Sequence, residues 1–74
     1  MLLKIVETTD DKFVGDTITA PGEQLGLVTP NAVKLLAMHY YEGRFVPNEV
    51  IYVGDNTVRL VNENYSVTLE KVQE

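Results

Sequence analysis

The sequence predicts an α+β fold of order β-β-α-β-β-β: an antiparallel sheet or a small partly open barrel, with one helix packed on it. Three observations carry this. Residues 29–43 are the one stretch with a helical start, interior and stop. Five short segments around it are strand-like, rich in β-branched and aliphatic residues. Turn-forming residues separate the segments, and no linker, repeat or low-complexity tract divides the 74 residues, so they form a single small domain.

Residues 2–7 read as the first strand. Leu3 and Ile5 share one face, Leu2 and Val6 the other, so the strand is expected at the centre of a sheet or covered on both sides. Residues 8–12 carry short polar side chains suited to a turn. Residues 13–20 return as the second strand, with Val14 and Ile18 inward and a bulge or bend at Gly15.

Pro21 and Gly22 end that strand, and residues 21–28 form a loop. Its apolar residues Leu25, Leu27 and Val28 have two readings. Leu27 or Val28 staples onto the helix start, or the loop binds a partner.

Thr29 is a good N-cap, and Pro30 suits the first helical position, where its missing N–H costs nothing. Ala32, Lys34, Leu35, Leu36, Ala37 and Met38 are good helix formers. Gly43 is placed for a left-handed C-terminal conformation, with Arg44 against the negative end of the helix dipole. At about 100° per residue, Val33, Leu36, Ala37 and Tyr40 form one apolar face, with Ala32 and Tyr41 on its margins. Leu35 and Met38 point away from it.

Pro47 and Asn48 make a turn, and residues 49–53 are the third strand. Residues 54–57 are a tight hairpin signal, because Asp55 and Asn56 tolerate positive φ. Residues 57–61 return. Asn62, Glu63 and Asn64 turn again, and residues 65–72 alternate with Tyr65, Val67 and Leu69 on one face. Residues 71–74 are expected to fray. The core should be Leu3, Ile5, Val14, Ile18, Val58, Leu60, Val67 and Leu69, meeting the helix face.

Composition narrows the chemistry. The formal charge is −5, from 11 acidic and 6 basic residues, which disfavours a general grip on nucleic acid phosphates. There is no cysteine and only one histidine, so disulfides, cysteine zinc sites and histidine clusters are excluded. No apolar run approaches the roughly 20 residues of a membrane span, and the first residues lack a basic leader, so a cytoplasmic location is expected, the host cytoplasm if the protein is viral.

No motif presents a catalytic group. His39 with Glu42 one turn on resembles a base and its orienter, but nothing supplies a nucleophile. An end-of-helix role explains His39 better. Glycine spacing fits no phosphate loop, and Asp10, Asp11, Asp55 and Asn56 read as turn residues rather than cation ligands. No catalytic, cofactor or metal site is expected, and the protein is read as a non-enzyme.

Interaction residues are a different matter. Leu35 and Met38 are left over from the sheet-facing stripe, so either the loop at Leu25, Leu27 and Val28 covers them or another chain does. Tyr41, Arg44 and Phe45, beside Tyr40, form the densest aromatic and basic cluster, either core or a contact patch. The expected surface is therefore Leu35, Met38, Leu25, Leu27, Tyr41, Arg44 and Phe45. The expected function is a protein-interaction module that binds a protein partner or itself, of the kind small phage and prokaryotic accessory proteins use to modulate a larger machine. The alternatives are a structural subunit of a virion or other assembly, pairing through strand edges, and a single-strand nucleic-acid binder using Lys34, Tyr41, Arg44 and Phe45.

Overall fold

A computed structural model describes residues 1–72 of the chain. Five strands form one antiparallel sheet: β1 (Leu2–Thr8), β2 (Thr17–Thr19), β3 (Glu49–Tyr52), β4 (Thr57–Val61) and β5 (Ser66–Lys71). Their spatial order is β2-β1-β5-β4-β3, so the sheet is open, with β2 and β3 at its edges. One helix, α1 (Pro30–Tyr40), links the two edge strands. The expected order of elements and the sheet alternative are therefore what the chain forms.

Alternation explains the buried face. Leu3, Ile5 and Ile18 from β1 and β2 meet Val58, Leu60, Val67 and Leu69 from β4 and β5, all buried. Leu69 sits at the middle, opposite Ile5 on one side and Val58 on the other. The opposite face carries Lys4, Thr17, Thr19, Arg59 and Glu70, all exposed.

Of the two expectations for β1, the position inside the sheet holds and the cover on both faces does not. The strand is paired on both edges, but only one face is covered. The register with β5 slips between Ile5 and Glu7, and Val6, the extra residue of this bulge, is exposed.

The second strand is shorter than expected. Asp11–Phe13 form a 3-10 turn capped by the Asp10 carboxylate, and Gly15 takes φ +98. Val14 therefore lies in the turn, 46% exposed, and not in the core. The loop after β2 also coils. Leu25–Leu27 form a second 3-10 turn, whose three residues per turn send alternate side chains apart: Leu25 enters the core while Leu27 stands in water.

The β3–β4 hairpin closes on a hydrogen bond from the Val53 N–H to the Thr57 carbonyl, 3.0 Å. Neither Asp55 nor Asn56 takes positive φ, so the tight turn they suggested is replaced by a wider loop. Lys71 and Val72 do not fray: their N–H groups bond Asn56 and Leu2 carbonyls. Gln73 and Glu74, the rest of the expected tail, lie outside the described residues.

The helix starts as its sequence implies. The Thr29 hydroxyl accepts from the Ala32 N–H at 3.2 Å, and Pro30 is the first helical residue. Val28, half-buried, packs on the core that holds Val33 and takes the staple position that Leu27 does not. The C-terminus differs. The Glu42 N–H bonds the His39 carbonyl and the Gly43 N–H bonds the Met38 carbonyl, a Schellman pair. The left-handed residue of that pair is Glu42, φ 55, with Gly43 following at φ 81.

A β-carbon at the left-handed position is unfavourable. Glu42→Gly is thus expected to raise the unfolding free energy by about 1 kcal/mol in urea titration, although glycine is ordinarily a poor residue near a helix.

Candidate functional site

Two surface features stand out around the helix. The first is aliphatic. Val33, Ala37 and Tyr41 are the buried residues of the helix and its cap, spaced four apart. At 100° per residue, their centre is turned roughly 50° from the expected face, toward Tyr41. Leu36 and Tyr40 drop to half-buried, Met38 is half-buried on the other flank, and Leu35 points directly away from the sheet.

Leu35 is 63% exposed and Leu27 79% exposed, so the loop does not cover Leu35. Leu27 instead shares a shallow groove of about 550 Å³ with Pro21, Val28, Thr29 and Ala32. Ala32 lies one turn before Leu35 on the same side of the helix, so Leu27, Ala32, Leu35 and the half-buried edge of Met38 run as one apolar stripe. Asn31 and His39, both exposed, border it. The His39 side chain makes no hydrogen bond among the described residues, to Glu42 or to any other group, so no acid–base pair forms there.

The second feature is aromatic. Five of the six aromatic residues form one cluster at the C-terminal end of the helix: Phe13, Tyr40, Tyr41, Phe45 and Tyr65. Tyr41 is its hub, with ring centroids 4.9–5.8 Å from the other four in edge-to-face arrangement. Only 8% of Tyr41 and 3% of Phe45 is accessible. These two, with Leu25, were expected at a contact surface and belong instead to the core. Buried as they are, these two rings offer no face for stacking on a nucleic acid base.

Hydroxyl chemistry inside the cluster is unusual. The hydroxyls of Thr8, Tyr41 and Tyr65 are sealed from solvent without a hydrogen-bond partner among the described residues. The Thr8 and Tyr65 hydroxyls are near enough to act on Tyr41, yet no pair has hydrogen-bond geometry. Burial pushes the Tyr41 hydroxyl well above the usual tyrosine range; Thr8 opposes the rise and Tyr65 adds to it.

Tyr40 donates its hydroxyl to the Asp16 carboxylate, tying the helix to the turn before β2. Burial first, then Asp16, push its pKa from 10.0 up to about 12. A raised folded-state pKa means that this contribution to stability is complete below pH 10 and lost as pH rises toward 12. Alkaline unfolding should begin in that window, and tyrosinate absorbance of Asp16→Asn should show Tyr40 titrating closer to its ordinary value.

Arg44 is exposed, with no ion-pair partner among the described residues, where the one pair is Lys12 with Asp10 at 3.5 Å. No group of three or more histidines and carboxylates able to hold a metal occurs among those residues, and no helix there is long and apolar enough to cross a membrane. Two residues that sequence reading passed over, Phe13 and Tyr65, turn out to complete the aromatic cluster. Phe13 reads as the start of the second strand and Tyr65 as one face of the fifth, and only the tertiary fold brings them to Tyr41. No family model matches the chain, and no curated protein or solved structure is significantly similar to it.

Proposed function

We propose that this is a non-enzymatic protein-interaction module that binds a protein partner through the stripe of Leu27, Ala32, Leu35 and Met38. The observation that carries the reading is that Leu27, which lines the groove, and Leu35, one helical turn beyond the groove residue Ala32, are both exposed and uncovered among the described residues. Burying both in an interface is worth on the order of 3–5 kcal/mol before association costs. An accessory protein acting on a larger machine, in the cytoplasm, fits this reading.

The stripe should matter for binding and not for folding. Leu27→Glu with Leu35→Glu is expected to leave unfolding free energy within about 0.5 kcal/mol of the parent, since neither residue is in the core. The same variant should lose the partner that the parent and a Thr19→Glu control, on the outer sheet face, retain in affinity capture. Equal capture by all three would exclude this surface.

A structural subunit is the second reading, favoured by the β3 edge. Val53 and Thr57 form a hydrogen-bonded pair, so alternation directs Glu49, Ile51 and Val53 to β4. The backbone groups of Val50 and Tyr52 then point off the sheet, unbonded among the described residues, and Ile51 and Val53 are exposed.

A further inference from the structure

Apart from the aliphatic stripe, the molecule has a hollow of about 360 Å³ at the end of the sheet, whose lining includes Asp10, Lys12, Phe13, Arg44, Asn64 and Tyr65. We infer that this hollow is a binding site for a small aromatic carboxylate, held by Phe13 and Tyr65 below and by Arg44 at the rim.

Three segments distant in sequence build it: the 3-10 turn after β1, the chain leaving the helix, and the β4–β5 turn. Each is fixed by its own bonds. Asp10 caps the first through the Lys12 N–H at 3.3 Å. The Arg44 N–H bonds the Tyr41 carbonyl at 3.0 Å in the second. In the third, the Asn62 side-chain oxygen accepts from the N–H groups of Asn64 and Tyr65 at 2.9 and 2.8 Å, while its amide donates to Val46. A site preformed on such turns loses little entropy when it binds.

Chemistry selects the ligand. Phe13 and Tyr65 are half-buried and present ring surface, backed by the buried Tyr41 and Phe45, so a flat apolar ring suits the floor. The sign of the rim is opposite to that of the whole chain. Two of the 6 basic residues line the hollow but only one of the 11 acidic ones; Asp10 and Lys12 pair with each other, which leaves the charge of Arg44. The Arg44 guanidinium and the Asn64 side-chain amide are unengaged among the described residues. A guanidinium fork takes a carboxylate with two parallel hydrogen bonds, which a single-atom anion or a neutral ring would not satisfy. The volume is at the lower end of small-molecule pockets, fitting one ring and its acid group.

The test is amide NMR titration of the intact chain with 4-hydroxyphenylacetate as probe. A ligand of this size should bind with a Kd on the order of 1 mM. Saturable shifts are expected at Phe13, Arg44, Asn64 and Tyr65. Arg44→Gln should weaken binding roughly tenfold, while Lys34→Gln, elsewhere on the helix, should leave it unchanged. The neutral analogue 4-methylphenol should bind several-fold more weakly than the acid. Because Arg44 is exposed, its variant should give the parent's spectrum without ligand. Shifts that do not saturate by about 20 mM would overturn the proposal. So would equal affinity for the acid and the neutral ring, equal binding by Arg44→Gln, or shifts centred on another surface.

Discussion

Leu69→Ala is expected to cost about 3–4 kcal/mol and to lower the melting temperature by roughly 15–25 °C. A chain of this length has a total stability of only about 4–11 kcal/mol, so the substitution should remove between about a quarter and nearly all of it. Leu69 is fully buried on β5, the central strand. Its partners on the two sides, Ile5 and Val58, are also fully buried and held by their own ladders, so the space left by the missing atoms cannot collapse. Urea titration measures the loss. Val6→Ala, at the exposed bulge of β1, should change stability by less than about 0.5 kcal/mol in the same assay. A loss under about 1 kcal/mol at Leu69 would mean that the sheet core is not packed as described.

Tyr41 gives the second large effect, and here the sign separates two parts of one side chain. Tyr41→Ala removes the hub of the aromatic cluster and should cost about 3–5 kcal/mol. Tyr41→Phe keeps the ring and its edge-to-face contacts, and removes a hydroxyl that is buried without a hydrogen-bond partner. Removing such a group avoids its desolvation penalty, so Tyr41→Phe should be neutral or raise stability by up to about 1 kcal/mol. A loss of 1 kcal/mol or more for Tyr41→Phe would show that the hydroxyl is bonded in solution, with Thr8 and Tyr65 as the nearest candidates.

The order of elements, the helix start and most of the core were legible because they rest on local rules. Thr29 and Pro30 mark the N-terminus by hydrogen-bonding and by φ alone, and Val58, Leu60, Val67 and Leu69 follow from period-two alternation. What was not legible depends on local helical winding or on contacts across the fold. Leu25 and Leu27 look equivalent in sequence, and a 3-10 turn sends one inward and the other out. Val14 reads as an inward strand residue until Gly15 turns the chain beneath it. Tyr41 sat on the margin of the helical wheel, and a rotation of roughly 50° brings it into the core. Of the expected contact residues, Leu27, Leu35 and Arg44 are exposed, Met38 is half-buried, and Leu25, Tyr41 and Phe45 are core. The aromatic hollow was half visible, as Tyr41, Arg44 and Phe45. Lys12, Phe13 and Tyr65 joined it through long-range folding alone.

The proposal that the outer side of the helix meets a partner can be tested by placing a photo-reactive residue at one position at a time in the full chain. Position 35 probes the stripe, position 51 the β3 edge, and position 19 the outer sheet face. In the cells that make the protein, position 35 should form a discrete adduct with one other protein, and positions 19 and 51 should not. An adduct between two copies of this chain from position 51, with none from position 35, would contradict the account and favour assembly through the strand edge.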